Sequence, residues 1–238
     1  MSHVDAAKPE QIQLDISPSE HVTALAYRAA PRGRAGPVLI LAHGAGANQT
    51  SSFMVHFATS LAARGIDTVT FNFVYTEQRR RLPDRNDKLE HCYRTVIEAV
   101  RSGKFHDNAG RRKLVIGGKS MGGRIASQVA AAAGQEGIAG LAFLGYPLHP
   151  PGRPDKLRSK HLPDIRAPML FVQGSRDAFG TPDELRAVFR ELKVAADLCV
   201  VEDGDHSFKV TKRSAMPQDQ VYEFVLDEIV RWMRAKVG

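Results

Sequence analysis

The sequence is poor in cysteine and in long apolar runs, and each shortage excludes a class of protein. Two cysteines, Cys92 and Cys199, in 238 residues cannot form the disulfide framework of a small secreted domain. The apolar run from Val38 to Ala42 is far shorter than the roughly 20 residues that cross a bilayer. The N-terminal stretch "MSHVDAAKPEQ" lacks the apolar centre of a signal peptide. We therefore expect a cytoplasmic protein with reduced thiols and no membrane partner.

Aromatic residues are also scarce, and the excess of positive charge is spread along the chain. Aromatics make up 7% of the residues, and the net charge of +7 includes one dense basic cluster, Arg79–Arg81. A surface for single-stranded nucleic acid combines basic residues with aromatic side chains on which bases stack. We therefore do not expect a nucleic-acid partner. An anionic small-molecule substrate stays open as a second interpretation of the charge.

A hairpin pattern precedes a regular alternation of strands and helices. Strand-like runs at 11–16 and 22–27 flank the turn "SPSE" and predict an N-terminal edge hairpin within residues 1–30. From residue 37 onward, apolar strands such as "PVLILA" and "PMLFVQG" alternate with helical patterns. This alternation is typical of a mainly parallel sheet with helices on both faces. We therefore predict a single α/β domain over residues 1–238.

The stretch "KLVIGGKSMGGR", residues 113–124, has the glycines of either a phosphate-binding loop or a nucleophile turn. A phosphate-binding loop requires a glycine at position 113, where this chain has Lys113. The next residues, Leu114–Ile116, are an apolar strand and not a loop. The other frame, Gly118–Gly122, is G-x-S-x-G between a strand and a helix, the turn that presents a nucleophilic serine. The spacing excludes the phosphate loop and makes Ser120 the candidate nucleophile.

A serine nucleophile needs a histidine base and a carboxylate that orients the histidine. In this architecture the acid and then the histidine follow the serine along the chain. Asp177 follows the strand "PMLFVQG", and His206 follows the strand "DLCVVE". Because ligands bind at the carboxyl ends of parallel strands, both side chains are expected beside Ser120. We therefore predict Ser120 as nucleophile, Asp177 as acid and His206 as base.

Four other carboxylates compete with Asp177 for the role of the acid. Asp203 and Asp205 are so close to the histidine in sequence that they are expected to point away from its ring. Asp183 and Glu184 stand at a predicted helix start, where a carboxylate stabilises the free N–H groups. Asp177 is therefore the first choice.

Acyl transfer also requires N–H groups that stabilise the developing oxyanion. The backbone N–H groups of Met121, directly after the nucleophile, and of Ala45, in "HGAGA", are the expected donors. We interpret His43 as a structural residue that anchors this loop. The sequence has no H-E-x-x-H motif and no closely spaced cysteine and histidine set. We therefore expect no metal and no cofactor.

The strings "LAHGAGA", "FNFVY", "GGKSMGGR", "LGYPLHPPG" and "GSRDAFG" resemble sequences of α/β-hydrolases. They resemble the small family that includes testis-expressed protein thirty and a subunit of the nonspecific-lethal chromatin complex, related to dienelactone hydrolases. The resemblance spans residues 35–236 and implies the α/β-hydrolase fold with Ser120, Asp177 and His206 in the roles above. Dienelactone hydrolases use a cysteine nucleophile, so their lactone chemistry is not implied. The chromatin-complex relative leaves a non-catalytic interaction protein as the alternative.

The interval 149–167, where many α/β-hydrolases insert a lid, is short and rich in proline and has little apolar periodicity. We therefore expect a minimal lid or none, and an open mouth. The predicted function is a serine hydrolase that cleaves a small carboxylic ester or thioester through an acyl-enzyme. Tyr75, Arg79 and Tyr146 are the residues that we expect to contact this substrate. If the basic loops flank the cleft, the substrate is anionic.

Overall fold

Eight strands of the described chain form one twisted sheet that carries helices on both faces. The structure is a computed structural model and describes residues 8–30, 36–105, 112–132 and 137–238. The strands are β1 (Glu10–Ser17), β2 (Glu20–Tyr27), β3 (Val38–Ala42), β4 (Asp67–Phe71), β5 (Leu114–Lys119), β6 (Ile138–Leu144), β7 (Met169–Gly174) and β8 (Ala196–Val201). The helices are α1 (Ser52–Ala63), α2 (Val74–Glu77), α3 (Asn86–Arg101), α4 (Met121–Ala131), α5 (Pro182–Phe189) and α6 (Gln218–Lys236).

The strand order is β1-β2-β4-β3-β5-β6-β7-β8. Strands β1 and β2 pair in antiparallel fashion, with Glu10 opposite Ala26, and β2 is also antiparallel to β4. All pairs from β4 to β8 are parallel. The predicted α/β fold with a mainly parallel sheet is confirmed, and β1 and β2 form an antiparallel pair at one edge of that sheet.

The central strands are buried because helices cover both faces of the sheet. Successive side chains of a strand point to opposite faces. Val38 and Ile40 of β3 accordingly pack in the layer of α3 and α4, whereas Leu39 and Leu41 pack in the layer of α1 and α6. This arrangement explains why β3 has no polar residue in its five positions.

The order of the strands determines which loops can meet. Strand β3 lies between β4 and β5. The connection after β3 therefore leads to one side of this strand, and the connection after β4 leads to the other side. Ligands of open α/β sheets bind at such a point, beside the carboxyl ends of the strands. The loops after β3 and β5 are therefore neighbours, and the loops after β7 and β8 reach the same edge.

The predicted absence of a lid domain is also confirmed. The segment 149–167, after β6, consists of turns and one 3-10 helix, Leu162–Asp164. In the parts of the chain that the structure describes, we find no helix with the length and apolarity needed to traverse a bilayer.

Candidate active site

The turn Gly118–Gly122, which we call the elbow, joins β5 directly to α4 and holds Ser120 in a strained conformation. The φ and ψ angles of Ser120 are 51° and −116°. A Cβ atom at Gly118 would lie 2.5 Å from the carbonyl oxygen of Ala42, and one at Gly122 would lie 2.4 Å from the same oxygen. Only glycine permits this close approach of α4 to β3. A non-glycine residue at such angles stores about 1–3 kcal/mol, which the surrounding packing offsets.

Ser120, His206 and Asp177 form one hydrogen-bonded chain. The Oγ atom of Ser120 lies 2.8 Å from Nε2 of His206. The Nδ1 atom of the same ring lies 2.8 Å from Oδ2 of Asp177. The Asp177 side chain is fully buried, whereas the His206 side chain is 21% exposed. The structure thus brings together the three residues that the sequence singled out, and it leaves the serine end of the chain open to solvent.

The carboxylate of Asp177 is held by two further donors. The Nε2 amide of Gln173 donates to Oδ2 over 2.8 Å, and the backbone N–H of Phe179 donates to Oδ1 over 2.8 Å. Gln173 is buried in β7, and its Oε1 atom accepts the backbone N–H of Tyr146. Our sequence reasoning missed Gln173. The available signal was a polar side chain at the end of an otherwise apolar strand, because buried polar groups must find partners.

Two of the carboxylates that competed with Asp177, those of Asp205 and Glu184, are used elsewhere. Oδ1 of Asp205 accepts the backbone N–H groups of Ser207 and Lys209, at 2.8 and 2.9 Å, and so closes the turn that carries the histidine. Glu184 forms a capping box with Thr181 at the start of α5. These contacts support the choice of Asp177.

The loop after β3 lies against the elbow. A Cβ atom at Gly44 would be 3.4 Å from Cβ of Ser120. Ala45 belongs to the tight turn that the hydrogen bond from Ala47 N–H to the Gly44 carbonyl closes. Met121 is the first residue of α4, and the first N–H groups of a helix have no acceptor within the helix. The two predicted oxyanion donors therefore belong to segments that touch beside Ser120.

His43 anchors this loop as a neutral ring. Its Nδ1–H group donates to the Gly44 carbonyl over 2.9 Å, and its Nε2 atom accepts the backbone N–H of Phe73 over 3.3 Å. The ring is fully buried, and the loss of solvent lowers its pKa to about 4. An uncharged His43 can keep its acceptor at Nε2 and its donor at Nδ1, which fits the expected structural role.

The structure gives the two predicted substrate-binding tyrosines a different role. Tyr146 has no exposed surface, and its hydroxyl donates to the Arg158 carbonyl over 3.0 Å. Tyr75 is 2% exposed and packs edge-on against the ring of His43. Their expected contacts with substrate are therefore corrected to packing contacts. Arg79, with φ of 55°, is exposed.

A second serine and histidine pair lies in the interior. The Oγ atom of Ser127 is 2.7 Å from Nε2 of His161. Ser127 has no exposed surface, and burial, with the nearby charge of Arg124, lowers the pKa of His161 to about 4. Because no substrate can reach Ser127 in this structure, the pair serves to join α4 to the segment after β6.

Neither a metal-ligand cluster nor a disulfide occurs within the described ranges. No group of three or more His, Cys, Asp or Glu side chains there is placed to hold a metal ion. Cys92 and Cys199 are free and buried, as expected. Burial raises the pKa of both thiols, that of Cys199 to about 12.

Comparison with known proteins agrees with this geometry. The family model of the alpha/beta hydrolase domain matches residues 35–234. A dienelactone hydrolase from Anabaena variabilis is 18% identical, with a TM-score of 0.70 over 96% of this chain and 99% of that chain. Est1E from Butyrivibrio proteoclasticus is 13% identical, with a TM-score of 0.73 over 95% and 98%. An alpha/beta serine hydrolase without a lid from Xanthomonas campestris is 19% identical, with a TM-score of 0.66 over 97% and 94%. At these identities the solved structures show the fold, and the family match shows that the chain belongs to the alpha/beta hydrolases.

Proposed function

We propose that this chain is a serine hydrolase that cleaves a carboxylic ester or thioester through an acyl-enzyme on Ser120. One observation carries the proposal. An unbroken hydrogen-bonded chain runs from the partly exposed Ser120 through His206 to the buried carboxylate of Asp177, with 2.8 Å at each step. A serine hydroxyl is a weak nucleophile until an adjacent base accepts its proton, and this arrangement supplies that base.

In the acylation step, Oγ of Ser120 attacks the carbonyl carbon of the substrate while Nε2 of His206 accepts the hydroxyl proton. Asp177 accepts a hydrogen bond from Nδ1–H of the ring, which fixes the tautomer and stabilises the imidazolium that forms. The tetrahedral intermediate then collapses. His206 returns the proton to the leaving alcohol or thiol, and the acyl group stays as an ester of Ser120.

In the deacylation step, water takes the place of the departed alcohol or thiol. His206 accepts a proton from this water as its oxygen attacks the acyl carbon, and it then returns the proton to Oγ of Ser120. The products are a carboxylic acid and the free enzyme. In both steps, the N–H groups of Met121 and Ala45 donate to the oxyanion, a contribution that typically reaches a factor of about 100 or more for one donor.

The open mouth favours a small or protruding ester. The segment 149–167 contributes only turns and a three-residue 3-10 helix, so no helical cover encloses a long acyl chain. We expect p-nitrophenyl acetate or butyrate to be cleaved faster than the palmitate ester. A clear preference for palmitate would contradict the inference about the mouth.

We further propose that the substrate is anionic. The basic residues of the loop after α2 carry the argument. Arg79 and Arg81 are exposed, and α2 follows the carboxyl end of β4, the edge of the sheet at which the elbow also lies. Replacing both with glutamine should raise KM for the p-nitrophenyl monoester of glutaric acid and leave KM for the neutral butyrate ester unchanged. Equal changes for the two esters would refute an anionic substrate.

The alternative is a non-catalytic interaction protein, as the resemblance to a chromatin-complex subunit suggests. We place the chain in that subfamily as part of the proposal. The connected serine, histidine and aspartate favour the enzyme, because an interaction surface does not require a buried carboxylate behind a histidine.

Labelling with a fluorophosphonate probe separates the two functions without a guess about substrate. Intact mass and peptide mapping should place one label on Ser120 of the wild type and none on Ser120→Ala or His206→Ala. Ser127→Ala is the matched control, because it removes a serine from the same region that also contacts a histidine. It should label like the wild type. A folded wild-type protein that takes no label would refute the hydrolase.

A further inference from the structure

Lys119 is the charged side chain next to the nucleophile, and the proposed mechanism gives it no role. The phosphate-loop pattern would aim this lysine at a phosphate, but the structure turns it toward the histidine loop. Its Nζ atom lies 2.5 Å from the backbone carbonyl oxygen of His206. Lys119 therefore connects the end of β5 to the residue that must meet Ser120.

Two aromatic rings and two carboxylates surround the ammonium group of Lys119. The ammonium group lies 6.0 Å from the ring centre of Phe53 and 5.8 Å from that of Phe208. Cations are attracted to aromatic rings at such distances. Burial lowers the pKa of Lys119 to about 8, while the carboxylates of Asp177 and Asp205 oppose the decrease. The side chain therefore still carries its charge at neutral pH.

Gly145 leaves the space through which Lys119 reaches the loop. A Cβ atom on Gly145 would lie 2.9 Å from Nζ of Lys119 and 2.9 Å from the carbonyl oxygen of His206. The two atoms of the hydrogen bond thus occupy the place of the missing side chain. Gly145 also has φ of 65°, which favours glycine at this position.

The backbone of Lys119 is itself held firmly. Lys119 is the last residue of β5 and pairs with Leu144 of β6, and the N–H of Ser120 donates to the Leu144 carbonyl over 3.0 Å. A displacement of the histidine loop relative to the elbow would break the contact between Nζ and the His206 carbonyl. The lysine and the nucleophile share one rigid segment, so the lysine can set the distance between His206 and Ser120.

We propose that Lys119 is a positioning residue, which holds the backbone of His206 so that Nε2 stays within hydrogen-bond distance of Oγ of Ser120. This inference rests on the proposed hydrolase and names a residue outside its catalytic set. Lys119 acts through the histidine loop and need not touch the substrate. Misplacement of reacting groups by about 1 Å can lower rates by about a hundredfold.

The test compares Lys119→Met with Lys113→Met in fluorophosphonate kinetics. Lys113 precedes the same strand at its opposite end and also donates to a main-chain oxygen, that of Gly238, over 3.1 Å, so it is a matched control. For Lys119→Met we expect kinact at Ser120 to fall by at least about tenfold with KI unchanged. For Lys113→Met we expect both constants to match the wild type. An unchanged kinact in Lys119→Met overturns the proposal.

Chemical rescue distinguishes positioning from a general packing defect. In Lys119→Cys, alkylation of the new thiol with bromoethylamine restores an ammonium group at nearly the length of lysine. Cys92 and Cys199 are buried, and burial raises the pKa of their thiols, so they resist the reagent. Intact mass confirms a single addition. We expect alkylation to recover most of the lost kinact. A modified protein as slow as the unmodified variant would overturn the proposal.

Hydrogen exchange tests the same contact without any catalysis. Peptides that cover residues 202–209 should exchange faster in Lys119→Met than in Lys113→Met, while peptides from β5 keep the wild-type rate. Equal exchange in 202–209 overturns the proposal whatever the labelling shows. Failure of the wild type to label would instead refute the hydrolase, and the exchange data would still decide whether Lys119 holds the loop.

Discussion

Acidification should destabilise the fold through His43, because this ring is buried in its neutral form. Its pKa falls from the ordinary 6.5 to about 4, chiefly through burial. The unfolded chain therefore binds a proton at a higher pH than the folded chain does. The contribution of His43 to stability is fully present above about pH 6.5 and decreases as the pH falls toward 4.

The magnitude follows from the difference in pKa between the two states. A difference from 6.5 to about 4, at about 1.4 kcal/mol for each pKa unit, corresponds to about 3 kcal/mol once the folded state is also protonated. Between pH 7 and pH 4.5, where most of this change occurs, the expected loss is about 2 kcal/mol. Such a loss is a substantial part of the 5–15 kcal/mol that is usual for a whole domain.

Urea unfolding of the wild type and of His43→Gln at the two pH values measures this contribution. Glutamine can accept the hydrogen bond from the Phe73 N–H but does not titrate. The variant should be less stable at pH 7 by about 1 kcal/mol, because it loses the donor to the Gly44 carbonyl. It should then lose about 2 kcal/mol less than the wild type on acidification. His21→Gln, at an exposed histidine, is the control and should follow the wild type.

Equal losses in His43→Gln and the wild type would refute the reasoning. That result would mean that His43 binds its proton in the folded state near the ordinary pKa. It would require either access of water to the ring or a rearranged Gly44 loop. Other titrating groups are common to the two proteins and cancel in the comparison.

Three substitutions test the supports of the site and of the sheet. Gly122→Ala should lower the free energy of unfolding, measured by urea titration, by at least about 3 kcal/mol, because the new Cβ would lie 2.4 Å from a backbone oxygen of β3. An unchanged free energy of unfolding would contradict the close approach. Gln173→Leu should slow fluorophosphonate labelling about tenfold with an unchanged circular dichroism spectrum, because Asp177 loses a hydrogen-bond donor. An unchanged labelling rate would show that the backbone N–H of Phe179 is a sufficient donor. Arg112→Met should lower the free energy of unfolding, measured by thermal denaturation, by about 3 kcal/mol, because Asp67 is fully buried beside that guanidinium. A decrease below about 1 kcal/mol would contradict a buried ion pair.

The sequence predicted the features that depend on local periodicity and on the order of elements. Largely apolar strands indicated a sheet covered on both faces, and the carboxyl-end rule then placed Ser120, Asp177 and His206 together. Those predictions required no side-chain geometry. They used only the fact that parallel strands end at the same edge, which explains why residues 86 and 29 positions apart were correctly expected to meet.

Predictions about individual polar side chains were weaker, because the direction of a side chain depends on tertiary packing. Tyr75 and Tyr146 follow strands at the correct edge, but their rings turn into the core beneath the loops. Gln173 and Lys119 were not assigned roles, since a single polar residue at the end of a strand has no recurring spacing. Their roles follow from the structure, which shows the hydrogen-bond partner that each polar group finds when it is buried.

The strands bring the candidate site together coarsely, and the polar contacts behind it set the final distances. The loops that carry Asp177 and His206 follow β7 and β8, whereas Ser120 follows β5, which β6 separates from β7. A regular sheet fixes strand spacing but does not fix where a loop of several residues places its side chain. Gln173 holds the carboxylate from inside β7, and Lys119 holds the histidine backbone from the end of β5. Both residues lie on strands, whose positions the sheet fixes, so each of them fixes the position of a loop. Polar groups near the ends of buried strands are therefore the ones to mutate first.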